Sequence, residues 1–388
     1  MANSVVGIQP SVLRWARQSQ GYSIEEVAHQ LKRDPAEVEA WEAGIAAPTY
    51  TQLEVLAYKL YKRPLAVFFL PAPPAERNLK KDFRTLPDFE LDQLSPDTRY
   101  QLRLAYAYQN SLRELNNGVN PANRKIFRDI TISATSDVFK VATSIRDYLG
   151  ISLDTQSRWR SDEDAFKAWR NSLEDVGVFV FKRAFKQKAI SGFCLADDEF
   201  PIIYLNNSTA KTRQIFSLFH EIVHLLLKIN AISKYDRSYI EYLPRKEKRI
   251  EQFCNAVAAE VLIPSGDFTI QISSLTHVDD ESIGELAKRY HVSRETVLRR
   301  MLDRGLIEQA YYEDKAKEWA AEAEKHGTSG GDYYATQAAY LGERYLRLVF
   351  SMHYQGRLSL EEVADHLGVR TKNVAGLEAF MVRKEGAI

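Results

Sequence analysis

The segment Phe219-His220-Glu221-Ile222-Val223-His224-Leu225 carries H-E-x-x-H inside a stretch of helical periodicity. Residues four apart on a helix lie about 40° apart, so both imidazoles can face one ion. Glu221 sits beside the first histidine, where it can hold and deprotonate a water next to that ion. Ile215, Leu218, Phe219, Ile222, Val223, Leu225 and Leu226 surround the trio, so the pattern carries two histidines and a glutamate into a core. Burying them without a partner is costly. That cost weighs against the plainer reading of surface or cap-satisfied histidines. Zinc is the expected cofactor, with Glu221 as the catalytic base.

A catalytic zinc needs a third protein ligand. A metzincin would carry glycine at 227 and histidine at 230; this chain has Leu227 and Asn230, so that class is excluded. The next histidine, His277, is far downstream, which turns the search to carboxylates. In the helix expected over Lys246–Leu262 the apolar stripe is Ile250, Phe253, Cys254, Val257 and Val261. Glu251 borders it, Asn255 lies one turn on, and Glu260 falls on the opposite face. Glu247 is the weaker rival, because a first-turn glutamate ordinarily answers the helix dipole. Glu251 is the expected third ligand. Cys254 reads as a small buried hydrophobe, with a thiolate switch on the zinc as the sharper alternative.

These residues need a scaffold. At 388 residues the chain is long enough for two or three domains. Lys plus Arg and Asp plus Glu both number 52, which argues against a coat for polyanions. Two cysteines build no disulfide framework, which fits a reducing cytoplasm. Neither a signal peptide nor a membrane span is expected, since Phe216–Leu227 is too short and too polar. Residues 1–72 read as short helices with tight turns, a helix-turn-helix bundle closed by the proline-rich Leu70–Pro74. Residues 73–118 form a linker and a long helix opening at Ser95-Pro96. Residues 119–275 form a core domain, in which 177–181, 189–195 and 200–205 read as strands and 208–228 as the motif helix. Residues 276–388 look helical, interrupted by glycines at 327–331. SIEEVA (23–28), SIGELA (282–287) and SLEEVA (359–364) echo one another as capped first helices of helix-turn-helix-like units. The expected fold class is α+β and mostly helical.

The segments RQIFSLFHEIVHLLL (213–227) and EQFCNAVAAEVLIP (251–264), with PIIYLN (201–206) and 169–181, closely resemble the ImmA/IrrE metallopeptidases. The resemblance is strong over 160–305. It extends through Phe69–Pro74 and Asp82–Thr85 to longer members with an N-terminal Xre-type helix-turn-helix, echoed here by Trp41–Gly44 and Pro48-Thr49. It implies a zincin-like core with zinc on His220, His224 and Glu251 and the general base at Glu221. Phe219 and Val257 depart mildly from the commoner residues, and neither is a ligand. Members are cytosolic peptidases that cleave helix-turn-helix repressors of stress responses or mobile elements, and some respond to single-stranded DNA. A repressor substrate is therefore expected here, with single- or double-stranded DNA and a homodimer as further candidate partners.

Charge tempers the DNA expectation. Residues 1–70 hold seven basic and seven acidic side chains, and the would-be recognition helix carries Asp34, Glu37, Glu39 and Glu42. Such a module has no net pull on phosphates. Within 281–304, Arg294, Arg299 and Arg300 are candidate DNA or partner contacts, against the plainer reading of a solvated helix face. Tyr204 and Asn255 are candidate substrate or transition-state contacts, and a strand near 200–206 is expected at a sheet edge, ready for strand addition. Tyr106/Tyr108 and Tyr333/Tyr334 read as packing residues. The rival function is a DNA-binding regulator or toxin-antitoxin component whose zinc domain senses rather than cuts.

Overall fold

The computed structural model describes residues 4–76, 79–83, 86–235, 237–275, 277–325 and 331–385. Arg84 and Thr85 of the Asp82–Thr85 motif, and 327–330 of the glycine break, lie outside these. The chain forms two compact units. The fold is α+β and mostly helical.

The first unit takes in Met1–Asp82, Pro87–Leu104 and Phe185–Gln187. Its helices Pro10–Gln20, Ile24–Leu31 and Pro35–Ala43 are set by local chemistry. Ser23 and Glu26 form a reciprocal capping box, and Asp34 caps the next helix with Pro35 in its first turn. Gly44 ends that helix at φ 75°, a left-handed conformation suited to glycine. Val12, Val27, Val38, Trp41, Leu53 and Phe68 share one small core. Glu42 is buried in a bidentate pair with Arg17, at 2.7 and 2.9 Å. The unit runs past the proline stretch rather than ending at 72. Arg63 pairs with Glu76 at 2.7 Å, Gln20 donates to the Pro96 carbonyl and Arg103 to that of Tyr61 at 3.0 Å.

The second unit is built on four strands, β1 (Phe179–Arg183), β2 (Ile190–Leu195), β3 (Ile202–Asn206) and β4 (Ala231–Lys234), in the order β1-β3-β2-β4. β1 and β3 are parallel and the other pairs antiparallel. One face, with Val180, Cys194, Ile203 and Leu205, shares a core with the helices Asp162–Asp175 and Lys211–Leu226. On the other face Phe181 stacks on Tyr108 at 4.6 Å and Phe193 on Tyr204 at 4.9 Å. Both faces are covered, which is why these strands read as continuous apolar runs rather than alternating ones.

Two expectations are corrected here. The strand at 200–206 is not an edge: β3 is hydrogen-bonded on both sides, and β4 takes the edge beside β2. Four residues, Ala-Ile-Ser-Lys, are too few to display a strand period. The echo at 282 also begins earlier than its serine suggests. Asp279 is the N-cap, in a capping box with Ser282 as the third helical residue, and the helix is Asp280–Tyr290. Its partner is Arg294–Asp303. Rather than separating at 276, this pair puts Ile283, Leu286, Tyr290, Val297, Leu298 and Met301 into the core shared with the sheet. Pro264 ends the helix Arg245–Leu262 as expected, but also starts the next, Ser265–Ser273. The last helices are Tyr333–Leu341, Glu343–Tyr354, Leu360–Leu367 and Val374–Glu385. Among the described residues, no helix is long and apolar enough to cross a membrane.

Candidate metal centre

The helix Lys211–Leu226 buries nearly all of its length from Gln214 onward, and the helix Arg245–Leu262 packs against it. Two imidazoles from the first and one carboxylate from the second meet between them. His220 Nε2 and His224 Nε2 are 3.0 Å apart, and each lies 3.3 Å from an oxygen of Glu251, Oε2 and Oε1 respectively. His224, Glu221 and Glu251 are wholly buried and His220 nearly so.

Ligands about 2.0–2.1 Å from a tetrahedral zinc stand about 3.3 Å from one another. The observed triangle matches that spacing, and two imidazoles with a carboxylate are a donor set zinc accepts. A buried polar atom at the site points the same way: among the described residues, His220 Nδ1 has no hydrogen-bond partner. A metal ion fits these residues. Glu247 is half-buried and stands outside the group, Glu260 is bound to Arg300 and Ser265, and His277 is exposed.

The electrostatics separate the two central carboxylates. Burial raises the Glu251 carboxyl, but His224 and His220 outweigh it and hold the group well below the usual carboxylate range. Glu221 is pushed up to about 7 by burial, against the opposing pull of His220. One acid is thereby prepared to stay ionised and the other to exchange a proton near neutrality. Cys254 Sγ lies 3.6 Å from His224 Nδ1, with its thiol pushed up by burial. A sulfur in that position favours Nδ1–H on His224, leaving Nε2 toward Glu251.

Tyr239 was not legible in the sequence. Its hydroxyl donates to Glu251 Oε2 at 2.9 Å, and it belongs to the short turn Arg237–Tyr242, where no apolar period marks it. A cleft of about 350 Å³ opens beside His220. His220, Ser233 of β4, Tyr239, Asn255, Thr296 and Arg299 are among its walls. Asn255 therefore faces the space where a substrate would lie. Tyr204 does not, since it is buried on the sheet face opposite the motif helix. The arginines of 294–300 part ways. Arg294 pairs with Glu322 at 2.6 Å and covers Trp319, and Arg300 is tied to Glu260 and the Ile263 carbonyl. Arg299 alone of the three lines the cleft.

Residues 173–302 match the profile of the Peptidase M78 family, described as the IrrE N-terminal-like domain. The match covers about a third of the chain. It contains the four strands, both helices of the centre and all but the last residue of the pair 280–303. It supports a peptidase-type family for this segment. None of the curated proteins matches the chain.

Proposed function

We propose that the protein is a cytoplasmic zinc endopeptidase that cleaves a helix-turn-helix repressor, linking a stress or mobile-element signal to derepression. The observation that carries this reading is the buried His220–His224–Glu251 triangle, with Glu221 next to His220 and His220 itself on the wall of an open cleft. Held by those three side chains, zinc supplies Lewis acidity toward a scissile carbonyl and acidifies water. Glu221 accepts the proton of the attacking water and returns it to the leaving amine. Tyr239 fixes the rotamer of Glu251 through its 2.9 Å hydrogen bond. β4, an edge strand that lends Ser233 and Lys234 to the cleft wall, lies where an extended substrate would run.

The test is direct. Purified protein holds about one zinc per chain, His220→Ala or His224→Ala removes most of it, and Glu251→Ala weakens it clearly. Glu221→Gln keeps the zinc and loses ~10²–10⁴-fold in rate. Substrate candidates are repressors encoded beside the gene, incubated with and without single-stranded DNA and followed by intact mass. Cleavage by Glu221→Gln at the wild-type rate sinks the peptidase reading.

A further inference from the structure

The cleft carries its own charge pattern, away from the metal ligands. Arg213 stands seven residues before His220, on nearly the same helical face, about 10.5 Å along the axis. Both line the cleft, as do Lys234 of β4 and Arg299. Among the described residues that line it, Glu295 is the single carboxylate. It makes one 3.3 Å contact with Arg213 Nη2 and accepts from the Tyr312 hydroxyl at 3.4 Å. Arg299, one turn after Glu295, gives its Nε to Asp303 at 2.9 Å and lies 5.6 Å from the Tyr312 ring centre. Arg213 and Glu295 are 41% and 40% exposed, so their pair is worth only about 0–1 kcal/mol. Another carboxylate can displace Glu295 at small cost.

We propose that this cleft selects a peptide segment bearing an acidic side chain about three residues from the scissile bond, its carboxylate replacing that of Glu295 on Arg213. The spacing follows from geometry, because an extended chain advances ~3.3 Å per residue and Arg213 lies ~10.5 Å from His220 along the helix. Lys234 and Arg299 also line the cleft and add positive charge there, half-exposed and therefore sensitive to salt. The position of the scissile bond rests on the peptidase reading; the acidic preference of the cleft does not.

The test uses full-length Glu221→Gln protein and fluorescein-labelled decapeptides that differ only in Glu, Ser or Lys three residues to either side of the central bond. Anisotropy is expected to show glutamate peptides binding at least about tenfold tighter than lysine peptides, a ~1.4 kcal/mol difference, with the gap narrowing as salt rises. Adding Arg213→Gln removes most of the preference, whereas Glu295→Gln, which frees Arg213, increases it. Opposite signs at two paired residues are not produced by general loss of fold. Equal binding of all peptides, no binding, or a preference untouched by Arg213→Gln overturns the proposal. Wild-type protein is then given a mixed peptide library. Cleavage without acidic preference overturns the proposal alone; no cleavage despite acidic binding overturns the peptidase reading and leaves the cleft assignment standing.

Discussion

Two helix pairs in this chain open on nearly the same words and do different work. Ile24–Leu31 with Pro35–Ala43 contains SIEEVA apart from its capping serine, and Asp280–Tyr290 with Arg294–Asp303 contains SIGELA. Both first helices begin with a capping box. The first pair closes a small core of its own around Val27, Val38 and Trp41. Its second helix carries acidic side chains, with Glu42 consumed by Arg17. The second pair gives its apolar face to the core that holds the motif helix, and its second helix turns Thr296 and Arg299 toward the cleft. A capped helix, a turn and a second helix form a packing unit. What that unit does depends on what its second helix faces and on the charge it carries.

The largest effect expected from this contrast lies in the cores. Leu298→Ala removes a fully buried side chain and costs about 2–5 kcal/mol, and zinc retention falls with it. Leu53→Ala costs its own unit a similar amount and leaves zinc bound. Denaturant midpoints and metal content check both. If the two variants lose zinc alike, the second pair is no more part of the centre's scaffold than the first.

A smaller effect concerns the latch on the second pair. Asp267 accepts from Arg289 at 3.0 Å and from Tyr290 at 2.6 Å, tying Ser265–Ser273 to Asp280–Tyr290. Burial raises its carboxyl, but these two bonds outweigh burial and hold it below the usual range. A depressed carboxyl stabilises the fold above its unfolded pKa and loses that stabilisation as pH falls through the folded one. Asp267→Asn is therefore expected to cost ~1–2 kcal/mol at neutral pH. Urea midpoints of variant and wild type converge in strong acid; a constant gap would mean that charge is not what holds the latch.

Caps come next. Asp279→Ala and Ser23→Ala each cost about 1 kcal/mol, and Ser282→Ala costs less, because Ser282 is the third residue of its helix and not the cap. Thermal melts that rank Ser282 above Asp279 would restore the cap implied by the echo. The smallest effect is on DNA. With seven basic and seven acidic residues in 1–70, full-length protein binds random duplex weakly and with a shallow salt slope. Tight binding with a steep slope would contradict that reading of the acidic helix.

What was legible follows from periodicity. His220 and His224 declare themselves by helical spacing, and Glu251 by its place beside an apolar stripe. The expected runs 177–181, 189–195 and 200–205 overlap β1, β2 and β3 because both faces of those strands are buried. β4 and Tyr239 were not legible, since four residues and a single turn contain no period to read. The role of Arg299 was equally hidden. Its sequence neighbours Arg294 and Arg300 suggest a basic cluster, and only the tertiary partners Glu322 and Glu260 break that cluster apart.

The edge position of β4 has a cost outside catalysis. An edge strand can recruit another copy of itself during synthesis or heating, the first step toward insoluble assemblies. β4 is four residues long, and its ladder with β2 is interrupted by an irregularity between Ile190 and Gly192. Lengthening it with β-branched residues, or straightening that irregularity, should make the protein more prone to precipitate. The brevity that hid β4 in the sequence is what keeps this edge of the sheet from becoming a seed.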